Sequence, residues 1–141
     1  MGQRFWVSSI VAAVLFCVLG FVLHETILHN DYAQIPSIFR TPEEALRRMP
    51  IMFVAYLLMG FASTWIYRQG ITGSASWLLQ GIRFGLGIAL VSAVPMYLIY
   101  YAVQPLPGTL VVKQVVLQTI AIVIVGIVIA WINRRSSISN V

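Results

Sequence analysis

The stretch FWVSSIVAAVLFCVLGFVLHETIL, residues Phe5–Leu28, decides the fold of this chain. A hydrocarbon core is crossed by about 20 helical residues, and from Phe5 to Leu23 this run carries no charge. It is continuously apolar and does not alternate as a barrel strand would, so it predicts a helix. Met1–Arg4 form a short basic start, which raises the question of a secretion signal. The run exceeds the roughly 7–15 residues of a signal-peptide core, and no Ala-x-Ala site follows it. Val14-Leu15-Phe16, ahead of Cys17, is too bulky for a lipoprotein cleavage box. Phe5–Leu28 is therefore expected to be an uncleaved first transmembrane helix.

Three further runs have the same character: Ile51–Tyr67, Trp77–Val103 and Thr109–Ile132. They account for a composition that is 60% hydrophobic and only 9% charged over 141 residues, with a mean hydropathy of +0.89. A soluble domain of this size cannot hide that much apolar surface. A soluble enzyme, a disordered tail and a disulfide scaffold are thereby excluded. The expectation is a single domain over residues 1–141: an all-α integral membrane protein of four antiparallel transmembrane helices in a compact bundle. Short connections make consecutive helices antiparallel neighbours.

One substantial loop, residues 29–49, separates the first two runs. Within it Thr41 can cap a helix, Pro42 suits the first helical position, and Glu44 completes a capping box. Glu43–Arg47 and Glu44–Arg48 are i,i+4 pairs in the favourable order. A short surface helix is expected here, leading into the second span with a kink at Pro50. Pro95 is expected to kink the third span, and Gln104–Gly108 to form a turn.

The net charge of +5 does not indicate nucleic-acid binding, because the nine basic residues sit at the ends of apolar runs and form no stripe. With an even number of spans, Arg4, Arg68, Arg83, Arg134 and Arg135 fall on the side of the termini. Arg40, Arg47, Arg48 and Lys113 fall opposite, together with all four acids. Five basic residues against four place both termini in the cytoplasm by the positive-inside rule. Trp6, Trp65, Trp77 and Trp131 all fall at the termini-side interface as a lipid or partner contact belt. Tyr32, Tyr97, Tyr100 and Tyr101 lie towards the other face. Arg83 sits inside the third span and is expected to snorkel or to meet an anionic lipid or partner.

Small residues let helices approach closely in lipid. The packing candidates are Gly20 with Ser9, Ala13 and Cys17; Gly60 with Ser63 and Thr64; Gly81, Gly85 and Ser92; and Gly126 with Ala130. The Gly81-x-x-x-Gly85 pair serves either intrachain packing, the favoured reading, or a homodimer.

Polar residues at membrane depth are the default functional candidates. Antiparallel threading brings His24, Glu25, His29, Tyr56, Tyr97, Lys113, Gln114 and Gln118 to the face opposite the termini. Glu25 with His29, and Gln114 with Gln118, share helix faces at i,i+4. Glu25 is read either as an interfacial carboxylate held by Lys113, Gln114 or Gln118, or as a protonatable group that relays protons or binds a cation. His24-Glu25 followed by His29 spaces its histidines five apart, which is not the zincin pattern. No metal, haem or other cofactor is expected, and Cys17, the single cysteine, is a packing residue. No nucleophile–base pair, phosphate loop or acid couple is present.

The His24-Glu25 and Leu28-His29 end of the first span, the polar loop and Gly81-x-x-x-Gly85-x-Gly87 together resemble small bacterial inner-membrane proteins of uncharacterised four-helix families. The resemblance implies a multi-pass protein of the bacterial inner membrane with no assigned chemistry. The expected function is that of a non-catalytic accessory subunit, its partners being the lipid bilayer and other transmembrane subunits or a second copy. The alternative is a transporter for a small solute, ion or proton that uses the polar vestibule.

Overall fold

The computed structural model describes residues 2–71 and 76–134, so Arg135 of the charge count lies outside the described residues. All regular structure among these residues is helical. Four helical stretches are long and apolar enough to cross a membrane: Gln3–Ile27, Pro42–Gln69, Trp77–Val103 and Gly108–Asn133. In chain order, α1 spans Gln3–Phe21, a π-helical turn covers Val22–Ile27, and α2 is the single turn His29–Tyr32. A 3-10 turn follows at Pro36–Ile38, then α3 at Pro42–Gln69, α4 at Trp77–Val91, α5 at Ala93–Val103 and α6 at Gly108–Asn133.

Three local expectations need correction. The surface helix and the second span are one helix, α3, which runs through Pro50 without a break. Thr41 starts it as expected, accepting the Glu44 amide at 3.4 Å, and Arg47 pairs with Glu43 at 2.7 Å. The Glu44–Arg48 pair does not close among the described residues. The third span breaks at Ser92 rather than at Pro95. Pro95 is the third residue of α5, where a first-turn N–H has no helical partner to lose. The interruption therefore falls before it, at Ser92 (φ −121°, ψ −81°), whose hydroxyl donates to the Ile88 carbonyl at 2.6 Å. The first span also ends in a π turn instead of a plain α-helix.

Glycines set the closest approaches. A Cβ on Gly85 would lie 2.6 Å from the Val123 Cα, and one on Gly81 2.7 Å from the Ile127 Cα. A Cβ on Gly126 would meet the Gly81 carbonyl oxygen at 2.6 Å. The backbones of α4 and α6 therefore touch within this chain. At Gly60 a Cβ would stand 2.5 Å from the Ser9 carbonyl oxygen, which joins α3 to α1. Along this pair Gly60 meets Ser9 and Ala13 while Tyr56 meets Gly20, so the two helices run in opposite directions.

Burial is uneven. In α3 the buried residues are Gly60, Ser63, Thr64 and Tyr67. From Pro42 to Met59 every residue is exposed at the protein surface except the half-buried Tyr56. The main core joins Ala12, Phe16, Tyr67, Ala89, Ala93, Ile122, Val125 and Ile129. A second small core, Leu23, Leu28 and Leu110, lies under Tyr32, Ile35 and Leu117. The four tryptophans lie at the surface, with Trp6 and Trp131 half exposed. Trp6 packs edge-on to Phe61 at 5.4 Å.

Candidate functional site

The site begins where α1 changes pitch. The Leu28 N–H donates to the Leu23 carbonyl at 3.0 Å, a bond five residues long. A π turn of this kind inserts a residue into the helix and recurs at functional sites. Here it carries His24 and Glu25. It ends at Leu28, which is fully buried and bends the backbone (φ −96°, ψ 2°). The next turn, α2, is thereby laid across the start of α6. Glu25 and His29 consequently lie on different elements and share no helix face, contrary to the i,i+4 expectation.

The bend brings the Tyr32 hydroxyl between the end of the first long helix and the start of α6. It lies 2.6 Å from His24 Nδ1 and accepts from Gln114 Nε2 at 3.0 Å. Because Gln114 donates, Tyr32 can give its own proton to His24 Nδ1, which leaves the imidazole proton on Nε2. The Tyr32 ring stacks on His24 with centroids 5.8 Å apart and meets Phe39 edge-on at 5.0 Å. Burial pushes the Tyr32 phenol above its ordinary value, against the lowering effect of the Gln114 hydrogen bond. The Asp31 and Glu25 carboxylates push it further up. Tyr32 is therefore a neutral donor at physiological pH.

Lys113 bonds both carboxylate oxygens of Asp31, at 2.8 and 2.9 Å. This corrects the expectation that Lys113 or Gln114 holds Glu25: the partners are Asp31 and Tyr32. Glu25 is exposed and has no hydrogen bond or ion pair among the described residues. His29 is exposed as well. Tyr97 is half buried beside the main core, within electrostatic reach of Tyr32 and Tyr56. One turn apart on α6, the Gln114 and Gln118 Oε1 atoms are shielded and without a hydrogen-bond partner. Buried acceptors left unpaired are costly, so each calls for a donor such as water or a ligand N–H.

A cleft of about 500 Å³ opens on the other side of His24. Its walls are Cys17, Gly20, Phe21, His24 and Glu25 on one helix, and residues from Pro42 to Tyr56 of α3 on the other. Both sets follow helical spacing, so one face of each helix looks at the other across a gap.

A second polar cluster sits near the start of α1 and the end of α6. Asn133 Nδ2 donates to Ser8 Oγ at 3.0 Å, and Ser8 Oγ lies 3.4 Å from Thr64 Oγ1. Ser8, Ser9 and Thr64 are fully buried. Sequence reasoning took Ser9 and Thr64 as small packing residues and missed Asn133. It also missed Tyr32, which it placed in the aromatic belt; the available signal was its position eight residues after His24, on the loop that must fold back. Among the described residues no three His, Cys, Asp or Glu side chains converge as a metal site would require. The chain matches no protein family, no curated protein and no solved structure.

Proposed function

We propose that this chain is a non-catalytic, multi-pass protein of the bacterial inner membrane. In this reading the four apolar helices form a compact antiparallel bundle, with residues 2 and 134 on the cytoplasmic side. Its role is that of an accessory subunit that packs against other transmembrane helices. The outer face of α4 is the observation that carries this reading. Gly81 and Gly85 are used up by α6, but a Cβ on Gly87 would meet no atom within 4 Å. Arg83, one turn earlier, is exposed and has no hydrogen bond or ion pair among the described residues. Leu90 and Val91 continue the same exposed surface. A glycine facing lipid gives up side-chain packing for nothing, whereas a glycine facing another helix lets the two backbones close together.

Gly87→Leu tests the proposal. Its Cβ enters open space on an exposed face, so the purified protein should stay folded while its association with partner helices in mild detergent is lost. Unchanged association would refute the α4 face as the docking surface.

A second reading, passage of a proton or small solute, is favoured by the His24–Tyr32–Gln114 chain and the two unpaired glutamine oxygens behind it. Gln114→Leu should then abolish flux in liposomes, and wild-type flux in that variant removes its basis.

A further inference from the structure

We propose that the cleft between α1 and α3 binds a single-chain amphiphile with a cationic amine head, held by Glu25. The inference is independent of the partner face on α4 and of any flux through Gln114.

Shape comes first. The α3 wall runs from Pro42 to Tyr56, about 21 Å at 1.5 Å per residue, and the cleft holds about 500 Å³. That volume lies within the range of ligand pockets, and the form is a slot, long and one helix face wide. Leu46, Met49, Met52 and Phe53 make its α3 wall apolar. Methionine side chains fit themselves to a flexible chain. At the inner end the Tyr56 hydroxyl crowds Gly20, where a Cβ would stand 2.9 Å from it. Tyr56 therefore narrows the slot at Gly20, with Cys17 one turn further along the same wall and Glu25 at its other end.

Charge then selects the occupant. In a bilayer an alkyl chain gains little by leaving lipid for an apolar groove, because the lipid tails are equally apolar. Discrimination must come from the head. Glu25 is the formally charged side chain of the lining, and it is unpaired among the described residues. Of the neighbouring cations, Arg47 is engaged by Glu43 and Lys113 by Asp31, while Arg48 is exposed, has no ion pair among the described residues and does not line the cleft. His24 already gives Nδ1 to Tyr32. A carboxylate at the mouth of an apolar slot attracts an ammonium more strongly than the same group in open water, because the surrounding dielectric is lower. Phe21, one turn before Glu25, lines the same wall and adds an aromatic ring to it.

Cys17 supplies the readout. It is the single cysteine of the chain and lines the inner end of the slot, so an alkyl chain lying there shields its thiol. The full chain is placed in phosphatidylcholine nanodiscs and labelled with methyl methanethiosulfonate, a small neutral reagent insensitive to surface charge. Dodecylammonium, dodecanol and dodecyl sulfate are compared at equal membrane concentration. The amine should slow labelling about fivefold more than either of the others, the ratio expected for one partly exposed ion pair. Glu25→Gln should erase that difference, and Glu25→Asp should keep most of it. Equal shielding by all three compounds would show a groove that takes any chain and overturn the proposal. So would no shielding by any of them, or a preference for the amine that survives Glu25→Gln.

Discussion

Gly85→Ala is the most direct probe of how tightly this protein is built. The new methyl group would lie 2.6 Å from the Val123 Cα and 3.1 Å from the Ile122 carbonyl oxygen. Both are backbone atoms of α6, so no side-chain rotation relieves the contact. Ordinary carbon contacts begin near 3.5 Å, so α4 and α6 must part by about 1 Å along a seam that also includes Gly81 and Gly126. Overpacking of this sort costs about 1–3 kcal/mol, and the backbone neighbours place Gly85→Ala at the upper end. A cost near the upper end corresponds to a fall of about a hundredfold in the folding equilibrium constant. The measurement is reversible unfolding in mixed micelles of increasing sodium dodecyl sulfate content, followed by helical circular dichroism. Gly87→Ala, with open space around its Cβ, is the matched control and should be neutral or slightly stabilising. Gly126→Ala should cost a similar amount alone, yet the double variant should cost less than the sum, since the first methyl already parts the helices. A Gly85→Ala protein within about 0.5 kcal/mol of its Gly87→Ala control, the scatter of ordinary surface substitutions, would refute the close-contact seam.

Three further outcomes follow from the vestibule. Tyr32→Phe removes the hydroxyl shared by His24 and Gln114 and should destabilise the protein by about 1–3 kcal/mol, the cost of leaving buried groups unpaired; hydrogen exchange should localise the loss to residues 22–38. Because the Tyr32 phenol is raised in the fold, its contribution is intact below its ordinary value of 10.0 and is lost as pH climbs through and above it. The phenolate absorbance of Tyr32 should therefore appear later than that of free tyrosine, and Tyr32→Phe should remove this late component. The Asp31–Lys113 pair is partly exposed, so a double-mutant cycle with Asp31→Asn and Lys113→Met should give a coupling of only about 0.2–1 kcal/mol, falling as salt is added.

Four long apolar helices were legible because hydropathy is summed over many residues and tolerates local irregularity. The Thr41 cap and the Glu43–Arg47 pair were legible because they depend on fixed short spacings. The π turn was not, since inserting one residue into a helical turn leaves no mark in VLHETI that an ordinary helix would lack. That insertion decided the site. It separated Glu25 from His29 and set Tyr32 over α6, giving Gln114 a phenol and Lys113 the carboxylate of Asp31. Pro50 and Pro95 show the same limit from another side. A proline marks a missing N–H, but where the helix yields depends on which carbonyls are already exposed or free.

The unbroken run of α3 through Pro50 has a mechanical consequence. Its inner part, Gly60–Tyr67, is clamped against α1 and Tyr56 still reaches Gly20, while residues from Pro42 to Ala55 stand clear. A helix held at one end is a lever, here with its fulcrum at Tyr56. Pro42 lies 14 residues away, an arm of about 21 Å at 1.5 Å per residue. A tilt of about 5° moves Pro42 by about 2 Å along that arm, yet leaves the contact of Gly60 with Ser9 almost unchanged. The mouth beside Glu25 can thus widen or narrow without loosening the seam that holds the helices together. A force applied to the polar start of α3 is delivered to the walls of the slot.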